Sequence, residues 1–127
     1  MPTKTPGNIK ALIIDDETDI CYLLSSILRQ KNVQATFTGS LTEANKFLDR
    51  EAAPPIIFLD NHLPDGLGMN YVSKLKKKYP LTKVVMITAH DNISDRENAL
   101  LKGVDFFIGK PFSRESVYKA LDILTGQ

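Results

Sequence analysis

Apolar and polar residues alternate along this chain with two different periods. Short apolar runs rich in β-branched residues read as strands: Ala11–Ile14 (preceded by Ile9), Val33–Thr38, Ile56–Leu59, Val84–Ile87 and Val104–Ile108. Between them the apolar residues space out to i, i+3, i+4, the stripe of a half-buried helix. The first stripe is Ile20, Leu23, Leu24, Ile27 and Leu28, the second Ala44, Phe47 and Leu48, the third Met69, Val72 and Leu75. Val117, Leu121 and Leu124 form the last, in a helix that Ser113 opens. Ser40 with Glu43, and Ser94 with Glu97, have the spacing of capping boxes. They predict one helix from Ser40 that Pro54–Pro55 ends, and another from Ser94 that closes near Gly103. Ile56–Leu59 contains no polar residue, as in a central strand buried on both faces, whereas the more polar Val33–Thr38 suits an edge. Strands alternating with helices through short connections predict an α/β fold of three layers. A five-stranded parallel sheet lies between five helices, with right-handed crossovers.

Length and charge narrow the picture. The 127 residues suit one domain, expected to span 1–127 with a core from about 9 to 124. Sixteen basic and fifteen acidic residues leave a net charge of +1, which argues against direct nucleic-acid binding or an anionic membrane surface. A hydrophobic fraction of 43% with 24% charged residues is that of an ordinary globular domain. The single cysteine, Cys21, excludes an internal disulfide and reads as a small buried hydrophobe. No apolar run approaches a membrane span, and Met1–Lys10 lacks the apolar stretch of a secretory signal, so a cytoplasmic protein is expected. The basic run Lys74–Lys78 reads as a solvated helix face.

Candidate chemistry gathers at one end of the predicted sheet. In an open parallel sheet, ligands sit beyond the carboxyl ends of the strands. The first strand delivers Asp15 and Asp16 there, the third Asp60, the fourth Thr88, and the fifth Lys110 just past its end. Three carboxylates in one pocket raise one another's pKa unless a cation sits among them. Carboxylate oxygens suit a hard divalent ion such as Mg²⁺. A lysine beside an all-oxygen metal site fits phosphoryl transfer, with both cations holding the equatorial oxygens. No serine or cysteine is matched to a catalytic histidine, which leaves Asp60 on the central strand as the nucleophile.

In combination these residues resemble the receiver domain of two-component response regulators, over the chain from about Ile9 to Leu124. The resemblance rests on Asp15–Asp16 after the first strand and Asp60 before a loop with Pro64 and Gly66. It extends to Thr88–Ala89 after the fourth strand, Phe107 in the fifth, and Lys110–Pro111–Phe112. The spacings from Asp60 to Thr88 (88 − 60 = 28) and from Thr88 to Lys110 (110 − 88 = 22) lie in the family's range. The family fold is the flavodoxin-like sheet of order 2-1-3-4-5.

The resemblance implies that Asp60 accepts a phosphoryl group from a sensor histidine kinase, a phosphotransfer protein or a small phosphodonor. Mg²⁺, with Mn²⁺ as a substitute, would be held by Asp15, Asp16, Asp60 and the backbone carbonyl of His62. Lys110 would pair with the phosphoryl oxygens, and Thr88 would move to hydrogen-bond one of them. Phe107 would follow Thr88 and reshape the face made by the fourth helix, fifth strand and fifth helix. An output partner or effector domain would bind that face; a monomer is expected, with monomer and dimer both open for the phosphorylated state. The Lys110–Pro111 bond would be cis. Departures from common members are Phe107, which lacks the frequent tyrosine hydroxyl, and the glycine-rich loop Asp65–Met69. His62 and His90 stand two residues after the acceptor and the hydroxyl, as modulators of the phosphoryl lifetime.

Other functions fit less well. A phosphatase of the haloacid-dehalogenase type uses an aspartyl nucleophile but resembles a D-x-D pattern with a cap domain, whereas Asp15 and Asp16 are adjacent. A flavin carrier on the same fold would need phosphate-binding hydroxyls and glycines where Asp15–Asp16–Glu17 repel phosphate. A receiver-shaped interaction scaffold that is never phosphorylated would not need the complete acidic set.

Overall fold

A computed structural model describes residues 9–89 and 92–126, and in it the two periods become two kinds of packing surface. Five strands, β1 (Ile9–Ile14), β2 (Val33–Thr38), β3 (Ile56–Asp60), β4 (Lys83–Thr88) and β5 (Phe106–Gly109), alternate with five helices. The helices are α1 (Thr18–Arg29), α2 (Leu41–Arg50), α3 (Gly68–Lys78), α4 (Ile93–Leu101) and α5 (Arg114–Thr125). The strands pair in parallel in the order β2-β1-β3-β4-β5. This is the flavodoxin-like order that the family resemblance implies. Among the described residues no helix is long and apolar enough to cross a membrane.

Strand alternation sorts the core into two halves. Ala11, Ile13, Ile56, Phe58, Val85 and Ile87 face α1 and α5, where Cys21, Leu24, Leu28, Val117 and Leu121 meet them. Leu12, Ile14, Ile57, Leu59, Val84 and Met86 face the other way, against Ala44, Leu48, Val72, Leu75 and Ala99. All five residues of β3 are buried, as a central strand covered on both faces requires. The register pairs Ile14 with Leu59, Asp60 with Ile87 and Thr88 with Gly109, so the carboxyl ends share one rim.

Several local readings shift, each because a tertiary contact decides. The N-cap of α4 is Asn92, whose side chain accepts from the Asp95 N–H at 2.8 Å; Ser94 lies inside the helix. Ser40 caps α2 as expected, but Glu43 reaches back to the Gly39 N–H, one residue earlier than a capping box needs. α2 ends at Arg50, ahead of Pro54–Pro55. Leu23 falls on the expected stripe of α1 yet is 51% exposed.

The strand expected at Val104 begins only at Phe106, because Asp105 is occupied elsewhere. Its carboxylate accepts from the Val84 N–H at 2.8 Å and from Lys76 Nζ at 2.9 Å. Lys76 also donates to the Thr82 carbonyl at 2.8 Å, so this member of the basic run joins α3 to the starts of β4 and β5. Lys74, Lys77 and Lys78 are exposed, as a solvated face predicts. Lys76→Met is expected to cost about 1–2 kcal/mol, since it strands an acceptor that is only partly solvated. The midpoint of urea unfolding measures this, and an unchanged midpoint would mean that the bridge contributes nothing.

Candidate functional site

Each strand end places one polar group at the rim because the apolar run stops where the sheet does. β1 runs out at Ile14, and the Asp15 N–H then donates to the Thr38 carbonyl at 3.0 Å, which keeps Asp15 in line with the sheet. Asp15 and Asp60 are buried, at 4% and 6% exposure, while Asp16 is exposed. One carboxylate oxygen from each of the three lies within 4.8 Å of the others. Thr88, at the end of β4, is buried, and its carbonyl accepts from the Lys110 N–H at 2.8 Å. That bond ties the start of the next segment to the fourth strand. The Lys110–Pro111 peptide bond is cis, as expected.

Lys110 crosses the rim from there. Its ammonium is 2.9 Å from Asp15 Oδ2, 2.7 Å from Glu17 Oε1 and 3.7 Å from Asp60 Oδ1. The Glu17 N–H donates to Asp15 Oδ1 at 2.9 Å, and the Cys21 thiol donates to the Asp15 carbonyl at 3.3 Å. Cys21 is buried as foreseen, and burial first, then the Asp15 charge, pushes its thiol up to about 11, far from a reactive thiolate.

The loop after Asp60 carries contacts that no sequence pattern disclosed. Asn61 is buried; its Oδ1 accepts from the Met69 N–H and its carbonyl from the Gly68 N–H, both at 2.8 Å. A two-residue antiparallel pairing of His62 with Leu67 and Leu63 with Gly66 closes the loop. Asp65 reaches α2, where its carboxylate accepts from the Leu41 and Thr42 N–H groups at 2.9 Å and the Thr42 hydroxyl at 2.7 Å. Those bonds, the Thr42 hydroxyl first, hold the Asp65 carboxyl below its ordinary range. Gly68 packs directly on the Asp60 carbonyl, where a Cβ would collide with backbone. This is a close approach that only glycine permits.

The charges do not balance. Two carboxylates about 4 Å apart repel by roughly 4 kcal/mol at an effective dielectric near 20. Burial, followed by repulsion from Asp15, pushes Asp60 up to about 6, although Lys110 and the His62 amide pull the other way. Burial alone would lower Lys110, but its bonds to Glu17 and Asp15 and the nearby Asp60 outweigh it and raise the ammonium. An all-oxygen donor set with surplus negative charge is the chemistry of a hard divalent cation, and the residues present fit Mg²⁺.

The remaining expected residues lie further out. The His62 side chain is exposed, and His90 lies outside the described residues. Phe107 is half-buried in β5 with the Arg96 guanidinium 5.1 Å from its ring centre. A groove of about 430 Å³ runs beside it, lined by Arg96, Phe107, Pro111, Phe112 and Lys119. A groove of about 730 Å³ at the opposite end of the sheet, between Ile9, Gln34, Glu51 and Pro55, brings no comparable cluster together among the described residues.

A parallel sheet of this order with acids, a hydroxyl and a lysine on its carboxyl rim defines a class of signalling domain. The chain matches the response regulator receiver domain over residues 11–122 and belongs to that family, the receivers of two-component systems. The response regulator PilR of Pseudomonas aeruginosa is 36% identical over 116 residues, which cover 88% of this chain and 26% of PilR. The heme response regulator HssR of Staphylococcus aureus is 29% identical over 118 residues, covering 91% of this chain and 51% of HssR. The chain thus spans between about a quarter and a half of the length of the curated relatives it matches. Among solved structures, the beryllofluoride-activated NtrC4 receiver domain dimer is 32% identical, with a TM-score of 0.84 over 91% of this chain and 94% of that one. A two-component response regulator from Clostridium difficile gives a TM-score of 0.86 at 26% identity, covering 94% and 97%.

The Asp60 shift has a sign that stability measurements reveal. Its folded pKa lies above its unfolded one, so its contribution to stability is present below pH 4 and lost as pH rises through about 6. Asp60→Asn without divalent cations is therefore expected to stabilise the protein at pH 7.5 by about 1–3 kcal/mol. The gain should shrink toward pH 5. A difference that stays constant between pH 5 and 8 would contradict the buried-charge account.

Proposed function

We propose that the chain is a single receiver domain, residues 1–127, that accepts a phosphoryl group on Asp60. The donor is a sensor histidine kinase, a phosphotransfer protein or a small acyl phosphate. The observation that supports this most is the buried, electrostatically strained Asp60 beside Asp15 and Lys110. An Asp60 carboxylate oxygen attacks phosphorus and the bond from phosphorus to the donor nitrogen or oxygen breaks; a histidine donor keeps that electron pair and takes a proton from solvent, whereas an acyl phosphate leaves as its carboxylate. The product on Asp60 is an acyl phosphate, which water later cleaves to carboxylate and inorganic phosphate. Mg²⁺ or Mn²⁺, when held by Asp15, Asp16, Asp60 and the His62 backbone carbonyl, supplies charge neutralisation for the carboxylates and for the phosphoryl oxygens. Lys110 pairs with those oxygens, and the Thr88 hydroxyl hydrogen-bonds one of them.

The output is a change of surface, with catalysis confined to the domain's own phosphorylation and dephosphorylation. Thr88 and Phe107 bias the α4–β5–α5 face toward a state that binds an output partner or effector domain, or a second phosphorylated copy. His62 and His90 set the lifetime of the phosphoryl group, and the protein works in the cytoplasm.

Acetyl phosphate with Mg²⁺ followed by intact-mass measurement tests the acceptor. A single phosphoryl adduct is expected, lost with a chelator and lost in Asp60→Ala. An adduct that survives in Asp60→Ala would move the acceptor elsewhere, and none in the wild type would favour an unphosphorylated scaffold. Thr88→Ala should still take the phosphoryl group but forfeit most of the gain in partner affinity, a coupling of about 1–3 kcal/mol. An undiminished gain would remove Thr88 from the switch.

A further inference from the structure

Glu17 is a charged group at the rim to which the reaction above assigns no role. Its carboxylate is the nearest of three to the Lys110 ammonium, at 2.7 Å against 2.9 Å for Asp15 and 3.7 Å for Asp60. The contact joins residues 93 positions apart. Glu17 occupies the N-cap position of α1, yet its side chain makes no cap hydrogen bond. Its backbone is held in place by the N–H bond to Asp15, so the side chain extends over the pocket from a fixed base.

An ammonium has three donors. Asp15 and Glu17 each take one at hydrogen-bonding length, whereas the 3.7 Å to Asp60 is an ion pair without a hydrogen bond. A phosphoryl group on Asp60 adds up to two negative charges and three strong acceptors. Asp15 is buried with the lysine, but Glu17 is 60% exposed and free to return to water. Glu17 is therefore the partner that the lysine gives up most easily.

We propose that Glu17 is a positioning residue that holds Lys110 in a resting arrangement. Loading of Asp60 then exchanges the Lys110–Glu17 ion pair for a Lys110–phosphoryl contact. The inference rests on the reading of Asp60 as phospho-acceptor and deepens it. The exchange costs the loaded state whatever the resting pair was worth, and exposed pairs are worth little. Removing the pair should therefore tighten binding of a phosphoryl mimic by about two- to fivefold.

Beryllofluoride binding at saturating Mg²⁺, followed by fluorine NMR, measures this in wild type, Glu17→Gln and Glu17→Asp. Mg²⁺ affinity is titrated separately for each. Glu17→Gln removes the charge and weakens the contact. Glu17→Asp keeps the charge on a side chain one methylene shorter, which draws it back from the 2.7 Å contact with Lys110. Both variants are expected to bind the mimic about two- to fivefold more tightly and to hold their phosphoryl group longer. Equal affinity in Glu17→Gln and wild type would overturn the proposal. So would tightening in Glu17→Gln alone, which would assign the effect to repulsion through space. A wild type that binds no beryllofluoride in Mg²⁺ would instead fail the underlying reading of Asp60.

Discussion

The Lys110 ammonium stands among the carboxylates of Asp15, Glu17 and Asp60, with Asp16 close by, and this imbalance organises the rim. Four acids and one base cannot neutralise one another. The hydrophobic core has to hold them together against their repulsion. β1 and β3 contribute eight side chains that are almost completely excluded from water, and these anchor the strands from which Asp15 and Asp60 project. The parallel register then sets the acids side by side, because Ile14 pairs with Leu59 one residue before each of them. What the core holds in place, a cation can relax, and a pocket poised in this way is suited to bind one together with an anionic group.

The segment after Asp60 is restrained at both ends. Asn61 caps the entry of α3, Gly68 lets that helix pack on the Asp60 backbone, and Asp65 pins the middle of the loop to the start of α2. The neighbourhood of Asp60 is thus restrained on the loop side and open to solvent on the Glu17 side, where an exposed partner of Lys110 lies. Rigid placement on one side and an exchangeable contact on the other are what a site needs if its occupancy is to be converted into movement.

Much of this was legible before any coordinates. The five strands announce themselves by apolar runs, and the acids, the hydroxyl and the lysine fall where those runs end. The residues that escaped are those whose roles depend on distant partners. Asp105 looks like a strand residue until Lys76 and the Val84 N–H claim its carboxylate. Asp65 reads as a turn residue although it caps a helix 23 positions away. Leu23 lies on a well-formed helical stripe, yet the stripe is wider than the surface that covers it. Glu17 looks like a third acid after Asp15–Asp16, and only the approach of Lys110 from the far end of the chain distinguishes it.

The central claim is that burial and a neighbouring charge hold Asp60 in a strained state that a divalent cation relieves. Carbon NMR of the Asp60 side-chain carboxyl, titrated from pH 4 to 8 with and without Mg²⁺, tests this most directly. The account predicts a titration near 6 in metal-free protein that moves to lower pH as Mg²⁺ is added. A carboxyl that titrates near 4 and ignores Mg²⁺ would contradict it.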